Sequence, residues 1–590
     1  MIYDIILLEV ILLKLTISKS KNSEHFYISQ SYINSHGKST TKTYKKLGSL
    51  KDLCASLNTD RDGVILWAKQ QVALATQEYN SQNADTIVSL SNSKLIEKNT
   101  MISFNCGYLF LQSICSQLRL DNICRNMKYR HNFEYNIQHI FSDLIFTRIL
   151  YPSSKRSSFE FAQSFLHKPS YDLHSIYRSL SVLAQESDYI QAELYRNSHH
   201  LIDRNSRILY YDCTNYYFEI EEEDDDRKYG KSKEHRPNPI VTMGLFMDGN
   251  GIPLAFDIFP GNLNEQKTLK PLEQKVIRDF DCSEFVYCSD SGLGSQDNKY
   301  FNNFGGRSYV ITYSLKKLKA EDREIALSTS QFKKVGGNNQ FIDLDSLDES
   351  DPEVFQSIYY KEIPIDGKKV SETLIVTYSP KYKAYQKNIR EKQIQRAVKM
   401  VNKNGKLKKN RKNPNDPARF IKQTNITKHG EVAEEQICEL DLEVIHNEAQ
   451  YDGFYAVATN MNIEIEEIIA INKRRWQIEE CFRIMKHEFH ARPVYVQRAD
   501  RIKAHFLVCF CALLVYRILE LKLDNKYTAE QIISTLREMK LISIKSDGYI
   551  PGYKRTDITD DLHEVFKFRT DYEHMTKAKI RNIEKISKSK

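Results

Sequence analysis

The sequence predicts an α/β fold: a mixed sheet interrupted by a β-rich insertion and preceded by a mainly helical region. Three observations predict it. Residues 104–205 carry apolar side chains at helical spacing, as in "FEYNIQHIFSDLIFTRIL". From residue 206 the period becomes that of strands. "RILYYDCTNYYFEI", "PIVTMGLFMD" and "IPLAFDIFPG" follow one another, the last two joined by the hairpin signal "GNG". Strand and helix patterns then alternate through "EFVYCSD" and "RSYVITYS", as a mixed sheet with covering helices requires.

In chain order, residues 1–100 read as an N-terminal β-hairpin module and linker. "HFYISQSYINSHGKSTTKTYKKLGSL" alternates apolar and polar residues around a glycine turn, and a helical stretch follows. Residues 101–205 read as helical, with Pro152 and Ser153 breaking the pattern before a new helix start. Pattern alone suits a DNA-binding module and a helical packing domain equally. Residues 206–329 form the first part of the sheet. Residues 330–460 form the insertion, with the short strands "FQSIYYKEI", "ETLIVTYS", "EQICELDL" and "GFYAVATN" and a long basic helix and loop. In that loop Lys403, Lys406, Lys408, Lys409, Arg411 and Lys412 carry almost no balancing acid, which suits contact with a phosphate backbone. Residues 461–522 return as helices that complete the core. Residues 523–590 read as a basic, mostly helical C-terminal tail.

The bulk numbers bound the class. The chain has 590 residues, too many for one core, with 41% hydrophobic and 27% charged residues, as in ordinary globular proteins. A net charge of +8 permits nucleic acid as a partner without requiring it. The eleven cysteines are scattered and contain no CxxC, so they read as reduced core thiols rather than as metal ligands or a disulfide framework. The first residues, "MIYDIILLEVILLKL", lack a basic leader and a cleavage site and are too short to span a bilayer. They are expected not to be a targeting segment.

Candidate chemistry lies on three acids. Asp212 sits inside a strand between aromatic residues, where a carboxylate needs a compensating cation or partner. Asp290 sits where "FVYCS" ends and a glycine turn begins, the carboxyl end of a strand. Taken alone, Asp212 reads better as a hydrogen-bonded core residue and Asp290 as a helix N-cap or turn residue. The stretch "INKRRWQIEECFRIMK" changes the weighing. At helical spacing Arg475, Glu479, Phe482 and Lys486 share a face, while Trp476, Ile478, Cys481, Phe482 and Met485 make the helix too apolar to stand in solvent. It is expected to pack on the sheet and bring Glu479 near the sheet edge. Trp476 is read as core packing rather than a base-stacking surface. Two strand aspartates and one helix glutamate suit a two-metal phosphoryl-transfer site, with Arg475 and Lys486 holding substrate phosphates. Lys233, His235 and Arg236, in the loop after the first strand, read equally as DNA contacts and as solvated residues. His505, opening an apolar helix, reads as a packed or helix N-terminal residue.

At this point the sequence resembles the DDE transposases of bacterial insertion sequences, in the insertion-sequence-four superfamily and the branch with a long helical N-terminal region. The family signature is Tyr-x2-Arg-x3-Glu-x6-Lys, matched by Arg475, Glu479 and Lys486, with Asn472 in the tyrosine position. "YYDCTNYYFE" and "VYCSDSGLGSQDN" resemble its two aspartate segments. The resemblance implies an RNase H-like catalytic core. It implies Asp212, Asp290 and Glu479 as catalytic metal ligands for two Mg²⁺ (or Mn²⁺) ions, and Arg475 and Lys486 on DNA phosphates. It further implies a cytoplasmic, nucleoid-associated bacterial enzyme that assembles as a homodimer on double-stranded DNA. Such an enzyme cuts at terminal inverted repeats and joins 3′-hydroxyls to target DNA, with no membrane partner. The alternatives are an inactive DNA-binding relic of such an enzyme and another RNase H-like nuclease.

Overall fold

The structure is a computed structural model, and it describes residues 13–20, 23–33, 39–83, 92–93, 95–366, 369–402, 415–426, 435–544 and 548–589. The chain divides into two compact units. The smaller comprises residues 1–104, 539–555 and 568–586, and the larger comprises residues 105–538, 556–567 and 587–590.

In the smaller unit the expected hairpin is present. Strand Ser23–Ile33 pairs antiparallel with Ser39–Ser49 and, on its other edge, with Lys14–Ser20. The third strand was hidden in the sequence by the apolar run before it. Phe26 is fully buried against Leu53, Val64 and Ala68 of helices Leu50–Leu57 and Arg61–Asn83. The residues after 538 carry a second hairpin, Lys540–Ile544 with Gly548–Pro551, besides the expected helices.

The larger unit holds a nine-stranded mixed sheet. In order across it run Lys333–Lys334, Tyr359–Asp366, Ser371–Tyr378, Phe454–Thr459, Ser308–Tyr313, Val286–Ser289, Ile208–Tyr217, Ile240–Asp248 and Pro253–Pro260. Val286–Ser289 is parallel to both its neighbours, and the other pairs are antiparallel. Three strands of the sequence-expected insertion therefore extend the central sheet. The fourth, Glu435–Leu440, pairs apart from it with Ile421–Ile426. The turn between Ile240–Asp248 and Pro253–Pro260 follows from "DGNG". Gly251 adopts φ +82°, and the Asp248 carboxylate accepts from the amides of Asn250 and Ile252 at 3.0 Å.

Six helices between Tyr108 and Ser198 form the expected helical region. Side chains at their starts accept exposed amides, as Ser154 does from Ser157 and Asp172 from Ser175. Helix Ala499–Lys522 is long and apolar enough to cross a membrane, but 94% of its most apolar stretch is buried. It is the core helix shared by the helical region and the sheet: Phe506 meets Tyr216 and Phe510 meets Phe256, with ring centroids 4.9 and 5.1 Å apart. His505 is packed there as expected, its Nε2 3.0 Å from the Ala491 carbonyl. All eleven cysteines are free, nine of them buried.

Candidate active site

Strand alternation sets the direction of Asp212. Tyr211 and Cys213 join the core on one face of the sheet, with Phe246, Leu272 and Tyr287. Tyr210 and Tyr216 lie on the other, where the Tyr210 hydroxyl donates to the Ile471 carbonyl at 2.8 Å and Tyr216 reaches Met485. Asp212, two residues from Tyr210, faces that same side, toward the segment that carries Glu479. Asp290 stands level with it. Ile208, Leu209 and Tyr210 pair with Val286, Tyr287 and Cys288 in parallel register, and the same offset sets residue 212 beside residue 290. Adjacent strands lie about 4.8 Å apart.

Electrostatics agrees with this placement. Burial pushes the Asp212 carboxyl up to about 6; the Lys233 ammonium opposes the rise and the Asp290 carboxylate adds to it. Asp212 Oδ1 accepts from the Cys213 amide at 2.7 Å. Asp290 Oδ1 accepts from the amides of Gly292 and Leu293 at 2.9 and 3.2 Å. A Cβ at Gly292 would stand 3.2 Å from that oxygen, so glycine keeps the approach to the carboxylate open.

The stretch "INKRRWQIEECFRIMK" does not form one helix. Helix Ile465–Lys473 ends, helix Trp476–Arg483 begins after Arg475, and a π-helical turn spans Ile484–Glu488. The expected common face is therefore split. Ile478, Cys481 and Phe482 are buried, with Cys481 against Met247 of the sheet. Lys486, in the π turn, is drawn inward, with its Nζ 5.6 Å from the centre of the Tyr216 ring. Burial and the neighbouring Lys233 bring its pKa down to about 8, against the pull of Asp212. Glu479 points outward with a side chain 59% exposed, and accepts from Arg475 Nη1 at 3.1 Å. Arg475 is held charged beside Tyr455, Glu479 and Asp290, although burial opposes it. Trp476, expected in the core, is instead 58% exposed at the first position of its helix.

The structure thus brings Asp212, Asp290 and Lys486 into one electrostatic group and links Glu479 to Asp290 through Arg475. Lys408, Lys409, Arg411 and Lys412, with Lys403 and Lys406, lie outside the described residues. Sequence reasoning missed Glu265 and left Lys233 open between two readings. Lys233 Nζ bonds the Cys213 carbonyl and pairs with Glu265 at 3.3 Å. It missed Glu234 and Arg492 as well. Nothing in "HEFHARPVY" marks Arg492, because its position depends on how the chain leaves the π turn. His235 and Arg236 are exposed, and Arg236 lies 4.3 Å over the Tyr217 ring. The acidic run "EEEDDD" is largely exposed. Carboxylate oxygens suit a hard cation, but the structure does not close the predicted trio. Asp212 and Asp290 are neighbours, whereas Glu479 turns outward to Arg475, and among the described residues the three carboxylates do not form a group with ligand atoms within 4.8 Å of one another.

A mixed sheet presenting one carboxylate within a strand and a second just past the end of its parallel neighbour, with cations beside them, fits the transposases as a class. Residues 217–515, more than half of the chain, match the family described as "Transposase DDE domain", and the protein belongs to that family. Asp290, Arg475, Glu479 and Lys486 fall inside the matched span, and Asp212 lies five residues before it. Among solved structures, the cryo-EM structure of the piggyBac transposase synaptic complex with hairpin DNA is similar at 10% identity and a TM-score of 0.34, covering 82% of this chain and 84% of that one. No curated protein matches.

Proposed function

We propose that this protein is an active insertion-sequence transposase that binds the terminal inverted repeats of its element, hydrolyses the ends and transfers the 3′-hydroxyl strands into target DNA. The observation that carries the reading is the level pair Asp212 and Asp290, faced by the segment bearing Arg475, Glu479 and Lys486. The central strands, an antiparallel run of three with two parallel strands beside the first, support an RNase H-like core. Asp212, Asp290 and Glu479 would hold two Mg²⁺ or Mn²⁺ ions. Such ions, when bound, activate the attacking oxygen and stabilise the leaving one.

The chain's own residues do the rest. Asp212 stays close to Asp290 because the parallel strands fix both backbones. Glu479 sits on an exposed helix face and reaches the aspartates by exchanging its Arg475 partner. Arg475, released from Glu479, and Lys486 hold backbone phosphates, Arg475 with its planar fork and Lys486 as a point charge. The enzyme works on double-stranded DNA, as a homodimer on paired ends, in a bacterial cytoplasm. The basic segment 403–412 adds contacts to the phosphate backbone.

The test is cleavage of a duplex carrying the element's end, with Mg²⁺ present. Wild type cuts it, and Glu479→Gln binds but does not cut. Unchanged cleavage by Glu479→Gln would falsify the assignment.

A further inference from the structure

Lys486 shares its partner. Its Nζ lies 3.5 Å from Glu234 Oε1, and the Arg492 guanidinium is ion-paired with the same oxygen. The three side chains are 13%, 17% and 22% exposed for Lys486, Arg492 and Glu234. Two cations shielded from water thus converge on one carboxylate. The cations come from the chain that follows Glu479. The carboxylate comes from the loop between strands Ile208–Tyr217 and Ile240–Asp248.

That loop is tied to the Asp212 strand. Asn215 Nδ2 donates to the Lys231 carbonyl at 3.0 Å, and the Lys233 amide donates to Asn215 Oδ1 at 3.1 Å. Aromatic faces line the place: the Tyr216 ring lies 5.6 Å from Lys486 Nζ, and the Tyr217 ring lies 5.8 Å from the Arg492 guanidinium. Within this trio two cations face one carboxylate at low exposure, while Asp212 and Lys233 also act on Lys486. A phosphodiester has the charge of a carboxylate and two oxygens that a guanidinium fork can grip.

We propose that Glu234 is an internal stand-in for a backbone phosphate of DNA: it keeps Lys486 and Arg492 together as a two-cation phosphate subsite beside Asp212, and gives up that place when the strand to be cut enters. The inference rests on the reading of the site as a DNA-cleaving centre and adds Arg492 and Glu234 to it. The ammonium and the guanidinium are assembled before DNA arrives, so binding exchanges one anion for another and ordering costs little.

The test measures binding of a short blunt-ended DNA duplex to the full-length protein, without divalent metal, across a salt series. Glu234→Gln binds about tenfold tighter than wild type at low salt, since no carboxylate competes with the phosphate. Replacing Lys486 and Arg492 together by methionine removes that gain, so the triple variant binds like the double. A gain that persists in the triple variant overturns the proposal and makes Glu234 a general repulsive charge. A wild type that binds and cuts, with no gain in Glu234→Gln, overturns the proposal alone. A wild type that neither binds nor cuts overturns the site reading as well. A second measurement does not use DNA. Millimolar inorganic phosphate raises the Tm of Glu234→Ala and leaves that of wild type unchanged, because only the variant has the place open. Equal shifts in both proteins overturn the proposal.

Discussion

Asp212, on strand Ile208–Tyr217, and Asp290, just past the end of the parallel strand Val286–Ser289, are neighbours in the register that pairs Tyr210 with Cys288. The two carboxylates repel each other, and burial raises the cost for Asp212. A cation between them would relieve both terms. Metal-free Asp212→Asn is therefore expected to be at least as stable as wild type, while Mg²⁺ or Mn²⁺ raises the Tm of wild type only. At a hundredfold excess over Kd the gain is about 2.7 kcal/mol. Thermal unfolding with and without a chelator checks this, and equal metal shifts in the two proteins would count against the pair as ligands.

Glu479→Gln separates chemistry from folding. Its side chain is more than half exposed and its pairing with Arg475 is a surface contact. Such pairs contribute about 0–1 kcal/mol, so the substitution leaves the urea midpoint nearly unchanged while abolishing cleavage. A large loss of stability would mean that the residue is structural.

Lys299 and Glu372 form a buried pair, 2% and 4% exposed. Lys299 Nζ lies 2.7 Å from both carboxylate oxygens, and the Tyr309 hydroxyl donates to Glu372 Oε2 at 2.9 Å. Glu372 belongs to the inserted segment and Lys299 to the helix before strand Ser308–Tyr313, so the pair ties the insertion to the first part of the core. Glu372→Ala strands a buried ammonium and should cost about 3–5 kcal/mol. Lys299→Met combined with Glu372→Leu should recover most of it. Chemical denaturation of the single and double variants decides the matter.

Glu273 supplies a pH dependence. It is fully buried, its Oε1 accepts from Asn302 at 2.7 Å, and burial pushes its carboxyl up to about 8, with Asn302, Arg307 and Lys270 opposing. The folded state keeps the proton that the unfolded chain loses near 4.5, so the folded state binds more protons between these values. Its contribution to stability is complete below about 4.5 and is lost as pH rises through about 8. The effect is on the order of a few kcal/mol. Urea midpoints measured from pH 5 to pH 8 should fall more steeply for wild type than for Glu273→Gln. Parallel slopes would show that the residue ionises normally.

The elements were largely legible from local pattern. The strand Ile208–Tyr217, the hairpin at Gly251 and the start after Ser154 each depend on side chains a few residues apart, and periodicity and turn chemistry report those directly. The "INKRRWQIEECFRIMK" stretch was legible as a packed, charged segment but not in its geometry. Its break at Arg475 and its π turn arise where apolar residues dock on the sheet around Cys481 and Met485, and helical spacing carries no record of that. The exposure of Trp476 was missed for the same reason.

By itself the sequence determined the candidate acids, their order along the chain and the family signature at Arg475, Glu479 and Lys486, because residue identity and spacing are local properties. Only the tertiary structure decided that Asp212 and Asp290 are level, that Glu372 draws the insertion into the central sheet, and that Glu234 and Arg492 join Lys486. Those relations depend on strand register and on where a buried charge finds its partner. Both are settled by burial of side chains up to hundreds of residues apart in the chain, which no local pattern encodes.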